Sequence, residues 1–530
     1  MSPRKPILML ICILISTILM FSQPRLVVGI MVDGLQQSHI EQLNDRFSSG
    51  GFRKLTSSGI ALNNIACNIN SSGNACDIAT ITSGTVPYYH GVISNFVLNK
   101  STGKIESIFQ DQAFSGIESH LKLSAKNFKA TNIVDEIMMA NQAKSKSFAI
   151  GLNAEDVIAF AGHAANGVVW MDDVMMKWSS TAYYSNGMPW QALDMNENGA
   201  FQRYIDRTWE PMYQASTYLA ALNEKNPKSF EYKNTTKKRG SQPVTILKNT
   251  PSANSLVAEM ALRVFQEHEL GVDRFPDALM LQFTVRTPNE KKFSLFSMEK
   301  EDMYLRLDGE LQFLIQKIEN RIGADKVLFV LFGNQTDTYS PEELKENNFY
   351  AGYFNANRSI ALLSSYLMAI YGHEKWITGY YGKNIYLNRN LIEEKGIDFT
   401  KMQENIIDFM LEFEGVQSVY NFKDLMNIAS DSNSEMSKIR NSSYKNLVGD
   451  VIITLMPGWL EVDDNDNPIG EANALISNIP IWMYGAKLPQ IKTNKQYYIT
   501  DIAPTISRLL NIPFPNANIG KVIEELTIDN

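Results

Sequence analysis

Histidine and cysteine, on which most metal and thiol chemistry depends, are scarce in this chain of 530 residues. There are six histidines, none after His373, and three cysteines. No H-x-x-x-H or Asp-His pair occurs, which excludes the helical zinc-hydrolase motifs. Three cysteines also exclude a dense disulfide scaffold. A positive excess is missing: Lys and Arg number 49 against 57 acids, a formal charge of −8. That balance argues against a phosphate-backbone binder, so no nucleic-acid partner is expected. Repeats and low-complexity tracts are absent, and a 44% hydrophobic, 20% charged composition excludes fibrous and disordered classes.

Only one long apolar run is present, at 7–21. It follows Arg4 and Lys5, precedes Ser22-Gln23-Pro24, and is shorter than the roughly 20 residues of a spanning helix. This pattern predicts a secretory leader over 1–23, with membrane contact only through a partner or an uncleaved leader. Cys12 sits inside the leader, which leaves Cys67 and Cys76. In an oxidising compartment that pair closes a short loop, and a Cys67–Cys76 disulfide is expected; two buried thiols are the other reading.

Three apolar runs of strand length punctuate the chain: 26–32 ending at Asp33, 278–285 (ALMLQFTV) running on to Thr287, and 327–332 (VLFVLF) ending at Gly333-Asn334-Gln335. Bounded by helix-period segments, they predict buried parallel strands. In such sheets, reactive groups gather beyond the carboxyl ends of the strands. Helical periodicity is found at 132–142, 252–269, 299–321, 358–371 and 501–510. Surface excursions are expected at 222–250 and 430–446, an inserted subdomain over 349–445, and a resumed sheet with 449–455 and 479–484.

The strings VVGIMVDG at 27–34, TSGTVPYYHGVISN at 82–95, EDMYLRLD at 301–308, and IPIWMYG with TDIAPTISRLLNIPFP at 479–515 together resemble the alkaline phosphatase superfamily. The nearest likeness is to its secreted phosphomonoesterases and phosphodiesterases of Bacteroidetes type. The resemblance implies an α/β three-layer sandwich with a central, mostly parallel sheet. The core would span 24–348 and 446–530, with surface insertions around 150–250. It also implies two zinc ions clamping a phosphate that a Thr or Ser attacks.

Carried over position by position, Asp33 matches the first-strand aspartate ligand, and Asn95 an asparagine that contacts the phosphate. The nucleophile position falls on Asn74, an amide that cannot attack; Ser71 or Ser72 could replace it by a loop shift. The phosphate-gripping Lys-x-Arg falls on Asn153 and Glu155, whose charge repels a phosphate dianion. The Asp-x-x-x-His ligands fall on Thr287 and Lys291, and the Asp-His pair on Asn334 and Gln335. The last histidine falls near Ile469, and no gap can supply it. His90 and His163 sit in strings with structural roles, and the acidic run 461–467 reads as a solvated turn. Asp33, deprived of metal charge, is expected to pair with Lys291.

The expectation is therefore a catalytically impaired protein of the periplasm or cell envelope. It would act by binding an unknown envelope protein or ligand, with no cofactor. The alternative is an active phosphatase or phosphodiesterase using Ser71 or Ser72, two zinc ions and an unusual ligand set.

Overall fold

The computed structural model describes residues 23–526 except 63–64, 71, 223–226, 234–242, 289–295, 335–339, 428–433, 466, 468, 470–478 and 494. Ten strands form its central sheet: β1 (Leu26–Asp33), β2 (Ile60–Leu62), β3 (Gly116–Ile117), β4 (Ser147–Gly151), β5 (Gly167–Asp172), β6 (Lys177–Thr181), β7 (Asp277–Thr284), β8 (Val327–Phe332), β9 (Ile481–Gly485) and β10 (Ile491–Thr493). Their spatial order is β10-β2-β9-β8-β1-β7-β4-β5-β6-β3. The central five, β8-β1-β7-β4-β5, are parallel, and antiparallel strands close both sides.

The strands are apolar because both faces of this sheet are covered. Val28, Ile30 and Val32 of β1 enter one core, packed by α3 (Pro251–Glu267) and α4 (Met298–Ile322). Val27 and Met31 point the other way, onto α1 (Asn74–Ser83) and α2 (Ala154–Ala161). Three layers result, as the resemblance implied. Register then sets the site. Asp33 lies opposite Thr284 of β7, and Met31 opposite Phe332 of β8, so β1, the Arg286 turn and the Asn334 turn finish at one edge.

The acids of EDMYLRLD serve the fold. Asp302 accepts from the Trp209 indole, the Tyr218 hydroxyl and Met212 N at 2.6–2.7 Å. Asp308 accepts from Ser48 N and Phe52 N, both at 2.7 Å. These buried carboxylates tie two distant surface segments to α4.

A second, antiparallel sheet runs in the order Ile377–Tyr381, Asn384–Leu387, Val451–Leu455, Val416–Asn421. The run expected to resume the main sheet at 449–455 thus belongs to this small sheet, under Leu363, Leu367, Met402 and Ile406. Ile481–Gly485 does return to the main sheet, antiparallel to β8. Among the described residues no helix is long and apolar enough to cross a membrane.

Candidate active site

Asp33 caps β1 at the carboxyl edge of the sheet, with 17% of its side chain exposed. Its Oδ1 accepts from Arg286 Nε at 3.0 Å and from Asn334 Nδ2 at 2.8 Å. The buried Lys300 ammonium comes within 3.4 Å of where a Cβ on Gly34 would stand. Lys291 lies outside the described residues, as do Ser71 and Gln335. The structure sets the Arg286 guanidinium on Asp33; the expected Lys291 pair falls on residues outside those described. Thr287, the next residue, is buried.

Asn334 extends the network. Its Oδ1 accepts from Gly34 N at 3.0 Å, and its Nδ2 also donates to Asn74 Oδ1 at 2.6 Å. Asn74 opens α1, and its Nδ2 donates to Asp156 Oδ2 at 3.3 Å. The preceding residue must be glycine. Gly73 has φ +145°, and a Cβ there would lie 2.3 Å from Asn95 Oδ1, which accepts from Ala75 N at 3.1 Å.

Asp156 is the hub. Beyond Asn74, it accepts from Asn95 Nδ2 at 2.8 Å, from Asn153 Nδ2 at 3.1 Å and from Gln282 Nε2. Gln282 Oε1 in turn accepts from Leu152 N at 2.9 Å and Asn153 N at 3.2 Å, fixing the start of α2. Burial pushes the Asp156 carboxyl up to about 7; the amides of Asn153 and Asn95 oppose that, while the charges of Asp33 and Glu155 add to it. Glu155, buried beside it, is also raised by burial, against its Ser107 hydrogen bond and the Lys248 charge. Lys248 Nζ donates to Asn153 Oδ1 at 3.2 Å and Asp173 Oδ2 at 3.0 Å.

The structure therefore brings Asp33, Asn74, Asn95, Asn153 and Asn334 into one hydrogen-bonded cluster, with Glu155 and Thr287 buried at its margin. Asp156, Gln282, Arg286 and Lys248 complete it and were missed in the sequence. Gln282 left a signal, as the one polar residue inside an apolar strand. Asp156 and Arg286, each adjacent to a residue that was singled out, left none of their own. The cluster supplies amide donors, a guanidinium and a carboxyl poised near neutrality. Among the described residues no hydroxyl or thiol is hydrogen-bonded to Asp33 or Asp156, so neither carboxyl is set as a general base to a nucleophile among them. Ser72 is exposed, two residues before α1.

Cys67 and Cys76 are separate, buried thiols, which corrects the expected disulfide. Burial, then the Asp77 charge, pushes the Cys67 thiol up, so it behaves as a small core side chain. His90 is wholly buried. Its Nδ1 accepts from Val92 N at 3.1 Å, its Nε2 lies 3.0 Å from the Thr80 hydroxyl, and burial lowers it to about 3. His163 bridges Asp135 at 2.9 Å and Phe128 O at 2.8 Å. Both hold the core together. His39 is buried against Phe296 and Tyr304. Within the acidic run, Asp463 does organise a turn, accepting from Asn465 N and Asn467 N at 2.9 Å. Glu461 departs from the expectation: it is a buried strand residue.

Residues 27–474 match the type I phosphodiesterase/nucleotide pyrophosphatase family, and the chain belongs to it. Among curated relatives it is similar to alkaline phosphatase PhoV of Synechococcus elongatus, 26% identical over 95% of this chain and 93% of that one. It is also similar to alkaline phosphatase PafA of Elizabethkingia meningoseptica, 24% identical over 95% and 94%. The crystal structure of wild-type PafA superposes with a TM-score of 0.85 at 23% identity, covering 95% of this chain and 99% of that one. The superfamily and fold inferred from sequence are thereby established.

Membership corrects one expectation. The family and its alkaline phosphatases are metal-dependent, zinc-using phosphoric ester hydrolases, so the starting point is a metal cofactor and not none. The described donors do not fit a zinc pair: no three His, Cys, Asp or Glu side chains among them are placed to hold an ion. Asp33 already carries a guanidinium, and its neighbours are amides.

Proposed function

We propose that this phosphodiesterase-family protein has kept the fold and the strand-end pocket but works by binding, its hydrolytic step impaired. One observation carries the reading. At the start of α1, where the resemblance puts the attacking hydroxyl, Asn74 is held on both sides of its amide by Asn334 and Asp156. An amide in that position cannot form a phosphoenzyme. Further support comes from Arg286, which already neutralises Asp33. The leader-like N-terminus supports export to the periplasm or envelope, and on this reading the partner is an envelope protein or a ligand.

A second reading, residual phosphoesterase activity, is favoured by family membership and by Ser72, an exposed hydroxyl just before α1. Hydrolysis of an aryl phosphate and a bis-aryl phosphate, with zinc supplied, separates the two. The binding reading expects any trace activity to be unchanged in Ser72→Ala. Saturable turnover abolished by Ser72→Ala, with the fold intact by circular dichroism, establishes the second reading instead.

A further inference from the structure

Between the main core and the small sheet lies a cavity of about 520 Å³, within the roughly 300–1,000 Å³ typical of small-molecule sites. Ser72, Gly73 and Ser94 line the end nearest the amide cluster. Tyr380, Tyr381 and Tyr386 line it from the small sheet. Gly73, where a Cβ would lie 2.3 Å from Asn95 Oδ1, sets the cavity beside that cluster.

Its lining has two characters. Ile93, Val97 and Ile452 form an apolar side, extended by Phe96 and Ile105, which are 42% and 55% exposed. The lining also includes Glu461, only 2% exposed. A buried carboxylate needs partners. It has the Lys383 charge and a hydrogen bond with the enclosed Tyr380 hydroxyl.

The charges narrow the ligand class. Glu461 and Asp463 against Lys383 disfavour an anion, so this is not an extension of a phosphate site. Lys383 already supplies the positive charge beside Glu461 that an organic cation would bring. What remains is a molecule that buries apolar ring faces against tyrosines and aliphatic side chains while spreading hydroxyls over carboxylate, amide and hydroxyl groups. We propose that the cavity binds a short neutral saccharide, with Tyr381 supplying the apolar face and Glu461 with Tyr380 meeting the sugar hydroxyls. This goes beyond the binding reading above: it adds a second ligand chemistry in an adjoining chamber.

The test is a saturation-transfer NMR and thermal-shift screen of the full-length exported protein. The probes are neutral mono-, di- and trisaccharides of glucose, galactose, mannose and N-acetylglucosamine, with benzyltrimethylammonium and phenyl phosphate as charged comparators. At least one saccharide binds saturably at millimolar concentration or below. Glu461→Gln and Tyr381→Ala each weaken it by about tenfold or more, while Tyr381→Phe, which keeps the ring, retains most of the affinity. The proposal is overturned if no saccharide in the panel binds, if a charged comparator binds tighter than all of them, or if folded Glu461→Gln and Tyr381→Ala bind as the wild type does.

Discussion

At Asp33 a carboxylate survives at a strand end where its family places metal charge, and its neighbours show how it is stabilised. Arg286 Nε and Asn334 Nδ2 share Oδ1. Both members of the ion pair are largely withdrawn from solvent, 19% and 17% exposed, so removing one strands the other. Arg286→Ala is expected to cost roughly 1–3 kcal/mol in urea unfolding, and adding Asp33→Asn should recover much of it. Additive losses in that cycle would mean the pair does not account for Asp33. Asp156 makes a second prediction at this scale. Its folded pKa, about 7, lies above the ordinary value near 3.9, so the folded state holds a proton that the unfolded chain has released. Its contribution to stability is therefore fully present below about pH 4, declines as pH rises towards 7 and is gone above it. Stability measured at pH 5.5 and 8 should differ less in Asp156→Asn than in the wild type; an unchanged difference would show that Asp156 titrates normally.

Among the elements, the start of α1 is the most constrained. Gly73→Ala would drive a methyl into Asn95 Oδ1 from a left-handed backbone, breaking the Asn95–Asp156 link, and a loss of roughly 1–3 kcal/mol is expected. A thermal midpoint within a degree of wild type would contradict this. Gln282→Leu keeps the volume of a core residue while leaving Leu152 N and Asn153 N without their acceptor, so it should destabilise where an apolar residue in an apolar strand ordinarily would not. The strands β1, β7 and β8 were legible in the sequence because parallel strands covered on both faces are written as unbroken apolar runs. The same run at 451–455 gave no hint of which sheet it joins, since pairing depends on partners far along the chain. The candidate site was legible only in part. Asp33 closes an apolar run, and Asn74, Asn95, Asn153 and Asn334 were located by the family resemblance at strand and helix ends. The hub at Asp156 exists only because three distant segments, bearing Asn74, Asn95 and Gln282, converge on it, and Arg286 is brought to Asp33 by the turn after β7. A carboxylate is a hub by virtue of its neighbours, and sequence spacing does not record them.

On the scale of the whole molecule, a phosphodiesterase-family fold carries amides and a guanidinium at the described strand ends, and the proposed binding reading takes these to stand where hydrolysis calls for a nucleophile and metal ligands. Its leader-like N-terminus predicts export, checked by fractionating the native host: the chain should be recovered with periplasmic or envelope markers, shortened by about the length of the leader. The central claim, that this pocket binds without turning over, is tested most directly by kcat/KM for an aryl phosphate in zinc-containing buffer, measured beside an alkaline phosphatase of the same family. The account predicts a value lower by at least about 10⁴-fold, the scale on which loss of a nucleophile acts. A value within about tenfold of the active relative would contradict it.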